Sequence, residues 1–485
     1  MRIFRFSIVL TSLLLATQAF AQDVPLFTSD FPPEEFAARR SKVYDAIGRN
    51  AFAVIQGAPS PAGYVKFRQT NEFYYLCGVE VPHAYLVLNG ASRTATVYLP
   101  HRNEGRERGE GKMLSAEDAD LVKKLSGIDN VYASDLLTEQ LGRFSNGSQD
   151  TAYTLFAPAE GLAVSRDLGI RVTADALADQ WDLTASRESR FIQLLKSRFP
   201  ALNLKNLSPT IDKMRLIKSP NEITLIKKAT RLSSLALMEA MRSTVPGISE
   251  YELDGMAKYI YHRNGAQGDA YYSLIASAEN AFYPHYHEGK RVMKDGDFLL
   301  MDYAPDYGYY MSDVTRMMPV NGKFNSWQKE LYGFYLGCYK AILYNIKAGL
   351  TAQQIKKLAA AEMEQLLKRS KFSKPIYENA AKSFVQSYVR SSESARGMLG
   401  HWVGMATHDV GGYDGGPLVA GMVFTIEPAL RVPEEKIYIR LEDMIIVTEK
   451  GAEIITDYIP MDIEGIEKLM KEEGILQKYP KDTVK

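Results

Sequence analysis

The stretch Phe298-Leu299-Leu300-Met301-Asp302-Tyr303-Ala304-Pro305-Asp306-Tyr307-Gly308-Tyr309-Tyr310-Met311-Ser312-Asp313-Val314-Thr315 sets two aspartates in apolar surroundings. Strand-like runs flank Pro305-Asp306-Tyr307-Gly308, a turn signal. An unbulged hairpin centred on Tyr307–Gly308 places Asp302 directly opposite Asp313. A second stretch repeats the plan. Val423-Phe424-Thr425-Ile426-Glu427 is followed by a turn at Pro433-Glu434-Glu435 and then Ile439-Arg440-Leu441-Glu442. Glu427 and Glu442 are symmetric about Glu434–Glu435 and are expected to oppose each other. Like charges directly opposite destabilise a sheet. One such pair reads most simply as solvated strand acids or core ion pairs. Two pairs, in corresponding places of two similar segments, point to cations that hold them together.

The similarity extends upstream. Gly247-Ile248-Ser249-Glu250-Tyr251-Glu252 resembles Gly349-Leu350-Thr351-Ala352-Gln353-Gln354: each has Gly, an aliphatic residue and a capping box. Each precedes a strand region bearing a carboxylate pair, which suggests a duplicated αβ unit. This half opens at Ser219-Pro220-Asn221-Glu222, a capping box with Pro at the first helical position. Leu225, Ala229, Leu232 and Ala236 continue at helical spacing. Before it, strand patterns at Ala51–Gln56, Ala84–Asn89 and Thr94–Leu99 mix with helical ones at Glu34–Gly48 and Ser115–Leu125. Residues 101–113 are charged and Gly-rich and read as an exposed loop. The expected class is α/β (α+β), with an N-terminal α/β domain over 22–205 and a duplicated domain over 206–485.

The 485 residues carry 58 Lys+Arg against 58 Asp+Glu, so no global basic field exists to hold nucleic acid. Residues 1–21 read as a signal peptide: Arg2 and Arg5, an apolar run from Ile8 to Ala16, and Ala19-Phe20-Ala21 at the cut. The run is shorter than the ~20 residues a span needs, and the next residue is Gln22, not Cys. Export to the periplasm or medium is expected, with no membrane attachment after cleavage. The two cysteines, Cys77 and Cys338, have no CxxC partner and read as small buried hydrophobes.

Four of the seven histidines fall in two short stretches, His285 with His287, and His401 with His408. The second is Gly400-His401-Trp402-Val403-Gly404-Met405-Ala406-Thr407-His408-Asp409-Val410-Gly411-Gly412. Four carboxylates plus one imidazole form an oxygen-rich set that suits manganese, cobalt or zinc. Four carboxylates exceed the needs of one divalent ion, so two ions about 3.5–4 Å apart are expected, activating a shared water as hydroxide.

Asp302, Asp313, His401, Glu427 and Glu442 resemble the five-ligand pattern of the pita-bread metallopeptidases, which include methionine aminopeptidase, aminopeptidase P and prolidase. Met214–Ile223 is similar to the helix that opens the catalytic domain in the proline-specific members. His401–Gly412 is similar to their HxxGxxxHDVGG stretch, and Ile426-Glu427-Pro428 and Ile439–Asp443 to their two glutamate motifs. Phe67-Arg68-Gln69-Thr70-Asn71-Glu72-Phe73-Tyr74-Tyr75-Leu76-Cys77-Gly78 resembles the aminopeptidase P N-terminal domain. The resemblance implies a creatinase/aminopeptidase-P-like domain followed by a pita-bread catalytic domain.

It also implies roles. Asp302 would chelate one metal, Asp313 and Glu442 would bridge both, and His401 and Glu427 would hold the other. His285 and His408 would contact the substrate carbonyl and its proline and stabilise the tetrahedral intermediate. Glu427 would also take a proton from the attacking water. Arg440 would neutralise part of the acid charge and face substrate, or else serve as a structural ion pair. The implied cofactor is two divalent ions, manganese first, with zinc or cobalt as alternatives. The implied reaction cleaves the bond between an N-terminal residue and a following proline in short peptides, through a metal-bound hydroxide. Prolidase, cutting dipeptides alone, is the alternative, followed by a non-catalytic or creatinase-like member. A homo-oligomer, dimer or tetramer, is implied. Three departures remodel the pocket walls: Gly397 where a second His is frequent, Ala429 after Glu427-Pro428, and Tyr303-Ala304-Pro305 after Asp302.

Overall fold

The computed structural model describes residues 30–147 and 149–479; the expected signal peptide lies outside them. In strand β1 (Ala51–Gln56), Phe52 and Val54 enter one core while Ala51, Ala53 and Ile55 enter another. A strand buried on both faces belongs at the centre of a sheet. β1 lies between β2 (Tyr85–Asn89), antiparallel, and β5 (Thr151–Thr154), parallel. Outside these lie β3 (Thr94–Leu99) with β4 (Asn130–Ala133), and β6 (Asn203–Asn206), so six strands run in the order β4-β3-β2-β1-β5-β6. Cys77 and Cys338 are buried and unpaired. No helix among the described residues is long and apolar enough to cross a membrane.

The charged segment 101–113 is not all loop. Glu104–Glu110 is a helix with no buried residue. Asn103 caps it by accepting from the Arg106 amide at 3.0 Å, and Arg106 pairs with Glu110 at 2.8 Å. A cap, first-turn acids and an i,i+4 pair stabilise a short helix that has no apolar face.

The second half begins with helix Pro220–Ser243, where Ser219 and Glu222 close the capping box at 3.2 and 2.8 Å. The duplication shows in the backbone. The Gly247 amide donates to Met293 O and the Met293 amide to Ile248 O, both at 2.9 Å; Gly349, Leu418 and Leu350 repeat the pattern at the same distances. Each motif then starts a helix, Glu250–Arg263 and Ala352–Arg369, with its capping box intact. The first half adds β7 (Gly268–Asp269), β8 (Leu274–Ser277), β9 (Phe298–Asp302), β10 (Pro305–Tyr307), β11 (Tyr310–Met311) and β12 (Thr315–Pro319). The other adds β13 (Val423–Ile426), β14 (Ala429–Val432), β15 (Ile437–Arg440), β16 (Asp443–Thr448) and β17 (Gly451–Ile454). Sheets β12-β9-β8 and β13-β16-β17 are their counterpart layers, extended by β11-β10-β7 and β14-β15. This is the α/β, pita-bread arrangement.

One register differs from expectation. Asp302 pairs with Thr315, and Tyr307 with Tyr310, so the turn is Gly308–Tyr309. Both residues have positive φ, 59° and 71°, as a two-residue type I′ hairpin turn requires. Asp313 is therefore not opposite Asp302 but two residues away from that position. In the other half, Ile426 pairs with Asp443 and Ala429 with Arg440. That register does set Glu427 opposite Glu442. In both halves the ladder opens at the acids: residues 303–304 and 312–314, then 427–428 and 441–442, are outside the strands.

Candidate metal centre

The two openings face each other, and their carboxylates converge on His401. His401 Nε2 lies 3.2 Å from Glu427 Oε1, 3.4 Å from Asp313 Oδ2 and 3.8 Å from Glu442 Oε1. One ligand atom each from Asp313, His401 and Glu442 lie within 4.8 Å of one another. Asp302 joins through Tyr271, whose hydroxyl is 2.5 Å from Asp302 Oδ1 and 2.8 Å from Asp313 Oδ1. Arg440 binds the other Asp302 oxygen and approaches Glu427 at 3.5 Å. All five expected ligands thus meet in one place. The Asp302, Asp313 and Glu442 side chains are 4%, 6% and 1% exposed, whereas Glu427 is 27% exposed and opens to the cavity.

The cluster is electrostatically unbalanced. Burial pushes Asp302 up to about 7 against the pull of Arg440. Burial, reinforced by Asp313 and Glu427, holds Glu442 well above the usual carboxylate range. Burial pushes Asp313 and Glu427 upward, but the hydrogen bond and charge of His401, joined by Arg440 and at Asp313 by the Tyr271 hydroxyl, keep both below their ordinary values. His401 itself is raised well above its usual value, although burial opposes this. Glu442 Oε1 is buried without a hydrogen-bond partner among the described residues, while Glu442 Oε2 accepts from the Thr315 hydroxyl at 2.8 Å. An orphaned carboxylate oxygen among crowded acids is what a divalent cation would satisfy. Imidazole and carboxylate oxygens suit manganese, cobalt or zinc. The residues therefore fit the metal.

The remaining expected residues surround this cluster. The His408 ring packs against His401 at a tilt of 46°, with centroids 4.2 Å apart. His285 lines the same cavity of about 240 Å³, and burial, then the charges of Arg440 and His408, lower its proton affinity. A neutral imidazole keeps one N–H to donate. His287 points elsewhere, its Nδ1 3.0 Å from His285 O. Asp409, after His408, is buried and gripped by Arg215 and by Lys218 at 3.1 Å. A Cβ on Gly404 would lie 2.1 Å from Asp409 Oδ2, so this close approach requires glycine. At Gly397, Lys356 Nζ occupies the space a side chain would need, 2.8 Å from where a Cβ would lie.

Sequence reasoning missed Tyr271 and Thr315, single hydroxyls in no pattern. It also missed the N-terminal contribution. Asp167 Oδ2 lies 3.2 Å from His408 Nδ1, and Leu168 and Arg171 line the cavity. Only proximity in three dimensions identifies them.

Residues 224–449 match the model of metallopeptidase family M24, and residues 36–153 that of the aminopeptidase P N-terminal domain. A Xaa-Pro aminopeptidase of Escherichia coli is 30% identical over 467 residues, spanning 91% of this chain and 98% of that protein. The chain belongs to metallopeptidase family M24. A Xaa-Pro aminopeptidase of Haemophilus influenzae is 28% identical across 92% of this chain and 99% of its own. The solved Escherichia coli aminopeptidase P with the inhibitor Pro-Leu superposes with TM-score 0.71 at 28% identity, covering 91% and 98% of the two chains. In this M24 metallopeptidase, residues 154–223 lie between the two matched stretches.

Proposed function

We propose that this chain is an exported Xaa-Pro aminopeptidase with a dinuclear metal centre, manganese by preference. The observation that carries the reading is the convergence of Asp302, Asp313, His401, Glu427 and Glu442 on one cavity. Aminopeptidase P relatives that match nearly the full length support it. Two divalent ions held by these five residues would acidify a water and polarise the scissile carbonyl. Asp313 and Glu442 would be the ligands shared by both ions, with Asp302 holding one and His401 and Glu427 the other.

The protein's own groups do the rest. Glu427, the most exposed of the four acids and held ionised by His401, accepts the proton of the attacking water and delivers it to the leaving proline nitrogen. His285 and His408 donate to the carbonyl oxygen as charge develops. Asp409, anchored by Arg215 and Lys218, fixes the His408 segment. Arg440 offsets carboxylate charge beside Asp302. Arg2 and Arg5, the apolar run to Ala16 and the Ala19-Phe20-Ala21 site support export. Homo-oligomeric assembly remains part of the proposal through the family resemblance.

The relatives named Xaa-Pro aminopeptidase favour this activity over prolidase. The separating experiment offers the manganese-, cobalt- or zinc-loaded enzyme an Xaa-Pro-Xaa tripeptide. Release of the first residue is expected; cleavage of Xaa-Pro dipeptides without any tripeptide cleavage would establish the prolidase reading instead.

A further inference from the structure

The helix Arg166–Ala178 reaches from the N-terminal domain across the metal-centre cavity, yet none of its residues is buried. It is secured at its start. Arg166 binds Glu72 at 2.7 Å and Asp212 at 3.3 Å, and Asp167 binds His408 at 3.2 Å. Arg171 follows Leu168 by three residues and Asp167 by four, so it neighbours both on the helix surface, and all three line the cavity. Two guanidinium groups therefore border this space. Arg440 is committed to Asp302 and Glu427. Arg171 has no ion pair or side-chain hydrogen bond among the described residues, and Asp167, the acid one turn before it, is engaged with His408. Arg171 nevertheless stands near enough to His285 for its charge to oppose protonation there.

The cavity therefore has a polarity. Asp302, Asp313, Glu427 and Glu442 form its acidic end, and an uncommitted guanidinium stands on the wall supplied by the other domain. We infer that Arg171 receives the C-terminal carboxylate of a short peptide whose amino end faces the acids, making this enzyme selective for small zwitterionic Xaa-Pro substrates. The inference rests on the proposed Xaa-Pro activity and adds to it the substrate's length and its terminal charge. The planar guanidinium matches a carboxylate by two parallel N–H donors. The cavity of about 240 Å³ is smaller than the ~300–1,000 Å³ common for ligand sites, which agrees with a small occupant. Arg171 is a specificity-determining residue here, with no part in bond cleavage.

The test compares the free acid and the C-terminal amide of Ala-Pro-Ala on full-length, manganese-loaded enzyme. The expected result is a preference for the acid of about tenfold in kcat/KM, carried by KM, as loss of one charged hydrogen-bonded contact would give. Arg171→Ala should bring that ratio near one, Arg171→Lys should restore part of it, and Arg171→Glu should reverse it. A merely structural role would lower both substrates together. Wild-type enzyme that cleaves both forms equally, or an Arg171→Ala variant that keeps the full preference, overturns the inference. If neither form is cleaved, the proposed activity fails. Calorimetric binding of Ala-Pro acid and amide then decides the Arg171 assignment by itself: equal affinities, or a difference that survives Arg171→Ala, overturn it.

Discussion

Tyr74 lies flat on Tyr309, with ring centroids 3.6 Å apart and planes 5° from parallel. Arg68 covers the Tyr309 ring at 4.2 Å and binds Asp306 at 2.9 Å. The Gln69 amide donates to the Tyr309 hydroxyl at 2.9 Å. The segment Phe67–Gly78 of the N-terminal domain thus clamps the turn of the hairpin that carries Asp302 and Asp313. It also holds Tyr309 at positive φ, which its side chain alone disfavours.

Tyr309→Ala removes that clamp. Truncating a buried aromatic costs about 3–5 kcal/mol, so the melting temperature should fall clearly and metal affinity should fall with it. Tyr309→Phe, which keeps the ring and loses the hydroxyl contacts with Gln69 and Glu80, should cost about 1–2 kcal/mol. Thermal denaturation checks both, and equal losses in the two variants would show that the ring stack contributes nothing.

Arg440→Ala should affect metal-free and metal-loaded protein unequally. Removing one partner of a buried ion pair costs about 3–5 kcal/mol when the other charge is left uncompensated. Divalent ions supply that compensation, so saturating manganese should recover most of the lost melting temperature. A loss of the same size with and without metal would mean that Arg440 only packs the sheet.

The pH response of the metal-free protein follows from Asp302, Glu442 and His401. Asp302 is raised from 3.8 to about 7 on folding, so the folded state binds the extra proton. That contribution to stability is present at low pH and is lost as pH rises through the window from 3.8 to about 7. Glu442, held well above 4.5, acts in the same direction, and so does His401, raised above 6.5, at higher pH. Asp313 and Glu427 are lowered, so their contribution disappears on acidification below the ordinary carboxylate range. The melting temperature of chelator-treated protein should therefore fall between about pH 5 and 8, and Asp302→Asn should flatten that slope. An unchanged slope in Asp302→Asn would contradict the assignment.

His285→Ala and His408→Ala should each lower kcat by about 10²–10³-fold, the scale for one donor to a developing oxyanion. Metal content should stay at the wild-type level, since neither residue is assigned as a ligand. Metal loss in either variant would move that residue into the ligand set.

Much of the site is legible in the sequence because acids in apolar strands are conspicuous. The symmetry of Glu427 and Glu442 about Glu434–Glu435 predicts the register found, since the four-residue loop Pro433–Lys436 ends on Lys436 at φ 50° and closes without a slip. The same reasoning misplaces Asp302 against Asp313. Pro305-Asp306-Tyr307-Gly308 has the composition of a turn, but the chain turns one residue later, where Tyr74 and Arg68 hold Tyr309 in a conformation that local propensity does not favour. The helix Glu104–Glu110 escapes periodicity because it has no apolar face to display. Tyr271 and Thr315 reach the acids through single hydroxyls, and Asp167 and Arg171 arrive from another domain; no spacing rule connects them to His408.

Elemental analysis of the purified wild-type protein and of Asp313→Ala, with circular dichroism to confirm that both are folded, puts the two-ion centre itself to the test. About two divalent ions per wild-type chain are expected, as in bridged two-metal sites, together with loss of both metal and peptidase activity in Asp313→Ala. An Asp313→Ala protein that keeps the full wild-type metal content would contradict the bridging role and the two-ion centre built on it.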